Sequence, residues 1–342
     1  MLHLFPARRA LAAAAAAASV GVALAAARGA PPPPEPTPTA APAAAPAEAA
    51  PPVTAFEPVP WKELHYSAHK FIFGAATTLT VGPIRSAELA ARLGRPPRAR
   101  GVPLPDGGAV AVSSATDLPF GRDEKVTLWL DPGTGAALGA EKTTLGGDPY
   151  HKLLRFTDAG LYTWRSAPVS AREAKLGPGQ WTARKQYATE PAARPPEGTP
   201  VTDAYALLYL ASAARLDRKD SMLRLVLLVD KGYVEVSFVA GGLTTLRAAF
   251  DESWPGGGRR RAGDVLVRSV RATGRALGAE RPQDDVDLGF LGMRGALTLL
   301  VEVGSGIPVA FSGRAEHVGN LAVHLDRAVL AAAPSADAAP VP

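Results

Sequence analysis

The chain has 342 residues, with 37 basic and 32 acidic side chains, a formal charge of +5, 33 prolines and no cysteine. Without cysteine there is no disulfide, no thiol nucleophile, no cysteine-based zinc site and no lipidated amino-terminal cysteine. A surplus of +5 is too thin for nucleic acid, which calls for a dense basic stripe, but it suits an anionic envelope surface of lipid or polysaccharide.

Residues 1–27 read as a secretory signal: Arg8-Arg9 form the charged head, Leu11 to Ala26 the apolar run, and Ala25-Ala26-Ala27 a small-residue cleavage site. The expected location is the periplasm. The alternative is an inner-membrane anchor left uncleaved, and the partial match of Arg8-Arg9 with Leu11 gives twin-arginine export as a third reading. Residues 28–60 hold 12 prolines, all from Pro31 onward, and lack hydrophobic periodicity, so a solvated, polyproline-like linker is expected. The globular part then runs over 61–330, and the small, Pro-containing tail 331–342 is expected to be disordered.

Within the domain, Trp61–His69 and Phe71–Val81 have strand composition, and Ser86–Leu93 suits a short helix. The Pro- and Arg-rich stretch Arg92–Asp106 suits a loop. Val126, Leu128 and Leu130 alternate before the turn Asp131-Pro132-Gly133. Leu154 and Phe156 lead through Asp158-Ala159-Gly160 into Tyr162 and Trp164. A three-residue loop there pairs Phe156 with Tyr162 and Leu154 with Trp164, gathering the aromatics on one face. Trp181–Tyr187 is another strand, ahead of a Pro-rich loop over 191–200.

One main helix is expected over 203–216. Thr202 or Asp203 caps it, and Leu207, Leu208, Ala211 and Ala214 form one apolar stripe. Arg215, Arg218 and Lys219 lie near its carbonyl end, where cations are favourable. Leu223–Val229 is a nearly all-apolar strand; the turn Asp230-Lys231-Gly232 leads into Tyr233–Ala240, with Val234, Val236 and Phe238 inward. Val265–Thr273 follows. From Leu297 the odd positions (Leu299, Val301, Val303, Ile307, Val309, Phe311, Leu321, Val323, Leu325) are apolar and the even ones mostly polar, a period of two with one buried face. Three-residue loops would pair Val301 with Val309, Leu299 with Phe311 and Ala315 with Val323, and would set Arg314 opposite His324 with Asp326 diagonal to it.

Few residues suggest chemistry. His65 and His69 sit in a strand pattern, where four residues span about 13 Å, too far to share one ion. His151 has no evident partner, and His317 and His324 belong to a wet-face cluster. Asp284, Asp285 and Asp287 lack the twelve-residue calcium-loop pattern. Gly256–Arg261 lacks the ending of a phosphate loop and reads as a solvated loop. Ser305, between two glycines, is a turn residue rather than a nucleophile at a strand-to-helix elbow. No cofactor and no metal site is expected. The inward set Phe156, Tyr162, Trp164, Leu207, Leu208, Ala211, Phe238, Leu299, Val301 and Phe311 either forms a plain core or lines a groove for an apolar ligand.

The helix Asp203–Arg215 after a run of strands, together with the closing pattern Gly295-Ala296-Leu297-Thr298-Leu299, Gly306-Ile307-Pro308-Val309 and Gly319-Asn320-Leu321, resembles an uncharacterised periplasmic domain-of-unknown-function family related to the LolA/LolB-like half-barrels. That resemblance implies a mainly β fold, a curved antiparallel sheet forming an incomplete barrel with one main α-helix packed across it. It also implies binding of a lipid or acyl chain. The alternatives are a tethered envelope interaction scaffold with a filled core, and an enzyme of unrecognised type.

Overall fold

A computed structural model describes residues 56–70, 73–118, 122–229, 232–279, 286–291, 293–315 and 319–334, all within one unit, Glu48–Pro342. The signal, most of the linker, Asp284-Asp285, His317 and the end of the tail lie outside the described residues. Phe56 to Pro60, expected to be linker, belong to the domain. Phe56 and Val59 pack on the core, the Glu57 amide donates to the Ala213 carbonyl at 2.9 Å, and the Ala331 amide donates to the Pro60 carbonyl at 2.8 Å.

The first half of the fold is a meander: β1 Trp61–Lys70, β2 Phe73–Ile84, helix α1 Ser86–Arg92, β3 Ala109–Leu118, β4 Arg122–Leu130, β5 Ala137–Leu145, β6 Tyr150–Thr157 and β7 Gly160–Ala167. After the short helix α2 Ala171–Ala174 come β8 Ala183–Thr189, β9 Val201–Thr202 and helix α3 Leu207–Ala213. The second half holds β10 Met222–Val229, β11 Gly232–Trp254, β12 Gly257–Ala276, β13 Asp287–Phe290, β14 Met293–Glu302, β15 Pro308–Ala315 and β16 Gly319–Leu330. Hydrogen bonding orders them β8-β7-β6-β5-β4-β3-β2-β1-β16-β15-β14-β12-β11-β10-β9, with β13 on β14. The sheet is therefore a single curved, largely antiparallel surface, as expected, and its free edges are β8 and β9. It joins its own ends in sequence, since Trp61 pairs with Leu330.

One part of the sheet closes. The β11–β12 hairpin is long, and only Val267–Ala272 of β12 pairs with β14. Its far end bends away, so Asp251–Ser253 of β11 reaches Arg327–Val329 of β16 in parallel. Strands β11, β12, β14, β15 and β16 thus form a hydrogen-bonded ring. The bend starts at Gly241-Gly242, where the β11–β12 register slips. A Cβ at Gly241 would collide with the Ser269 side chain, and the Gly241 carbonyl accepts from Arg268 Nη1 at 2.8 Å.

Helix α3 is shorter than the expected 203–216. Asp203 accepts from the Tyr205 amide at 3.0 Å, a 3₁₀ turn covers Ala204–Ala206, and α-helix spans only Leu207–Ala213. It ends because Arg215 takes a left-handed conformation, φ 47°, a usual helix stop; Arg218 and Lys219 therefore lie beyond it. All seven residues of α3 are buried, none above 5% exposed. The sequence predicts one apolar stripe of Leu207, Leu208, Ala211 and Ala214; in the structure Tyr209, Leu210 and Ser212 are buried as well, as in a helix inside a core, and the curved sheet wraps this one. Among the described residues no helix is long and apolar enough to cross a membrane.

A second, smaller core covers the opposite face of the sheet. Leu89 of α1 packs there with Ile84, Ala109, Trp129 and Leu138, and the segment after α1 is strapped down by Arg155, which donates to the Leu138 carbonyl at 2.6 Å and to the Val102 carbonyl.

Candidate functional site

The expected ligand-lining set divides into three. Phe156, Leu207, Leu208, Ala211, Phe238, Leu299 and Phe311 share one core and are at most 2% exposed. An open space between helix and sheet would leave accessible surface on these side chains; they spend it on one another instead. Val301 is half-buried at the margin, because a bulge between Leu300 and Val301 pairs it with Pro308 rather than Val309. Tyr162 and Trp164 lie on the other face. The β6–β7 turn has two residues, not three, so Phe156 pairs with Leu161, Arg155 with Tyr162 and Leu153 with Trp164. A one-residue slip turns every side chain over, and Tyr162 and Trp164 pack edge to face at 4.6 Å outside the main core.

Polar groups pin α3 in place. Trp61 Nε1 donates to Ser212 Oγ at 3.1 Å, and Ser212 Oγ donates to the Gly306 carbonyl at 2.6 Å. Tyr66 OH donates to the Pro308 carbonyl at 2.6 Å, and its complete burial drives its pKa far upward. The Tyr66 and Phe290 rings meet Phe311 edge-on at 5.3 and 5.6 Å, a favourable arrangement of ring quadrupoles.

The closed ring encloses charge. Glu252 is 3% and Glu302 7% exposed. Arg261 Nη1 donates to Glu252 at 3.0 Å, its Nη2 to Glu302 at 2.5 Å, and Arg259 Nε to Glu252 at 2.6 Å. Ser305 Oγ donates to Glu302 at 2.6 Å. Burial opposes the charge on Arg261, yet Glu302 and then Glu252 more than offset that, and its pKa is raised. The run Gly256–Arg261 is thus not a solvated loop: Gly257 onward is strand, and two of its three arginines hold a buried carboxylate.

The histidines are dispersed. His65 pairs with Glu63 and lies 3.1 Å from Thr78 Oγ1. His151, for which the sequence suggested no partner, sits 2.8 Å from Glu141; the hydrogen bond from His151, against some opposing burial, holds that carboxyl below its usual range. Nor does His324 face Arg314: it pairs with Ala310, and Arg314 with Asn320. In the last hairpin Ala315 pairs with Gly319 rather than Val323, a slip of an even number of positions that preserves the inward face. The structure does not describe the His69 side chain. No group of three His, Asp or Glu able to hold a metal occurs among the described residues.

A cleft of about 820 Å³ opens along β10, β11 and β12. Its lining includes the cross-strand row Arg224, Ser237 and Thr273 and the next row Val226, Glu235 and Arg275, with Pro196, Pro200 and Phe56 also on its walls. Arg275 and Glu235 are ion-paired.

No protein-family model matches the chain, and no curated protein does. Among solved structures, the chain is similar to a β-barrel-like protein of the domain of unknown function DUF1849 from Brucella abortus: 11% identity, 81% of this chain and 99% of that chain covered, TM-score 0.36.

Proposed function

We propose that this is an exported envelope protein that acts by binding rather than catalysis: an interaction scaffold whose barrel interior is occupied by its own helix. The observation that supports this most is the complete enclosure of α3. A carrier of acyl chains has to keep apolar surface open to its cargo, whereas here Phe238, Leu299 and Phe311 close on Leu207, Leu208 and Ala211. In this reading the domain is displayed in the periplasm on its Pro/Ala-rich segment. Its partners are components of the anionic envelope, not nucleic acid. A relation to LolA/LolB-like half-barrels belongs to the same proposal, supported by the incomplete barrel and its internal helix. Native mass spectrometry of the full chain from several preparations tests it. The protein is expected to appear free of lipid, and stoichiometric fatty acid or phospholipid would replace the scaffold with a carrier.

The outer cleft favours a second reading, in which an amphipathic ligand binds beside β10 rather than beneath α3. At about 820 Å³ it lies within the roughly 300–1,000 Å³ of small-molecule sites. Ser237→Trp would obstruct it at the Arg224–Ser237–Thr273 row. If a fluorescent fatty acid bound wild type and the variant equally, that reading would be lost.

A further inference from the structure

Four cations stand side by side on one face of the β5–β8 arm. Lys142 pairs with Lys152, Lys152 with Arg165, and Arg165 with Lys185, each directly opposite the next across adjacent strands. With strands about 4.8 Å apart the row spans roughly 14 Å. It shares the face of Ala140, Leu154 and Phe156, so it extends the concave surface from the core outward to the free edge at β8. Like charges directly opposite each other destabilise a sheet, and three such pairs in succession do not arise from packing.

Only the inner end of the row is neutralised. Lys142 Nζ lies 2.8 Å from Glu124 and 3.1 Å from Tyr205 OH, which in turn bonds Glu124. For Lys152, Arg165 and Lys185 no carboxylate lies within ion-pair distance among the described residues; their neighbours are rings instead. Lys152 and Arg165 sit over Tyr150 at 4.8 and 5.4 Å, and Lys185 over Tyr187 at 5.5 Å. Arg165 Nε is buried without an acceptor, and so is Thr144 Oγ1, one row away beside Tyr150. Buried donors are normally satisfied, so the arm carries both uncompensated positive charge and unused hydrogen-bonding capacity.

We propose that this row binds a phosphoryl-bearing ligand, which enters along the concave face from the β8 edge and places its phosphate oxygens on Lys152, Arg165 and Lys185. A phosphoryl group offers three strong acceptor oxygens and close to two negative charges, enough to bridge neighbouring cations at the strand spacing. Arginine with flanking lysines suits it: the guanidinium fork fixes an oxygen pair and the lysines add point charge. The site is separate from the interior beneath α3 and does not depend on whether that interior is filled.

The test uses the full chain and sodium tripolyphosphate as probe, by titration calorimetry at low and physiological salt. One variant carries Lys152→Gln, Arg165→Gln and Lys185→Gln. A charge-matched control carries Arg95→Gln, Arg98→Gln and Arg218→Gln at exposed positions. Wild type and control are expected to bind one probe saturably, with the row variant at least about tenfold weaker, as befits the loss of charge-assisted bonds. Thermal unfolding of the row variant should be unchanged or raised, because repulsion is relieved. Sedimentation with phosphatidylglycerol vesicles separates the sources: row-dependent co-sedimentation displaced by tripolyphosphate identifies a lipid headgroup, and binding of tripolyphosphate alone identifies a soluble phosphate. Absence of binding by wild type, or equal loss in the control, overturns the proposal.

Discussion

Replacing Arg261 by methionine keeps most of the side-chain volume and deletes the charge that Glu252 and Glu302 share. Taking one partner from a buried ion pair costs about 3–5 kcal/mol, because the other charge is left behind without a counterion. Two features lower that here: Arg259 stays on Glu252 at 2.6 Å, and Ser305 still donates to Glu302 at 2.6 Å. A loss of about 2–3 kcal/mol is expected, which for a domain of this size lowers Tm by about 5–10 °C. In R261M the Glu302 carboxylate is buried without its cation. Urea unfolding followed by tryptophan fluorescence should show the loss, and adding Glu302→Gln to R261M should recover part of it. A gap below about 0.5 kcal/mol, or no recovery in the double variant, would mean that the ring does not depend on this network.

Ser212→Ala leaves the Trp61 indole and the Gly306 carbonyl buried without a partner and should cost about 1–3 kcal/mol in the same assay; a neutral outcome would mean water replaces the hydroxyl. Leu210→Ala, at a fully buried position of α3, should cost about 2–5 kcal/mol, whereas a helix packed against an open space would lose much less. His151→Ala removes the hydrogen bond that lowers the Glu141 pKa. Since a depressed carboxyl stabilises above its unfolded pKa and loses that as pH falls, the variant should shed less stability on acidification below about pH 4.5, and NMR titration should show the Glu141 pKa raised.

What the sequence disclosed follows from how clearly each strand separates a dry face from a wet one. In β14–β16 one face meets α3 and the other mostly meets water, so the odd positions Leu299, Phe311 and Val323 stood out and their inward face was legible. Exact pairing was not, because an alternating pattern fits any register slipped by an even number of residues; Ala315 against Val323 and Ala315 against Gly319 look alike in sequence. Strands β3 and β5 escaped notice because AVAVSSATDL and ALGAEKTTL are built from small residues with little contrast in size or polarity. The far half of the β11–β12 hairpin turns Leu246, Ala248, Phe250 and Val265 toward the core, but Thr244, Glu252 and Arg261 interrupt that same face, so it carries little apolar period.

The same blindness hid both charged constellations. Glu252, Arg261 and Glu302 are brought together only because the β11–β12 ribbon bends over to reach β16, a pairing that no local pattern encodes. The cation row needs β5 to exist and the β6–β7 turn to have two residues. With three, Lys152 would face the opposite side of the sheet from Arg165, and no row would form. Long-range pairing therefore decides which charges become neighbours, while hydrophobic periodicity decides only which side of a strand is dry. In this chain the apolar pattern specifies the helix-filled barrel, and the residues with unmet electrostatic demand lie where that pattern is weakest. If substitutions in the row weaken phosphate binding while the Tm holds, recognition in this protein is separable from the packing that builds the fold.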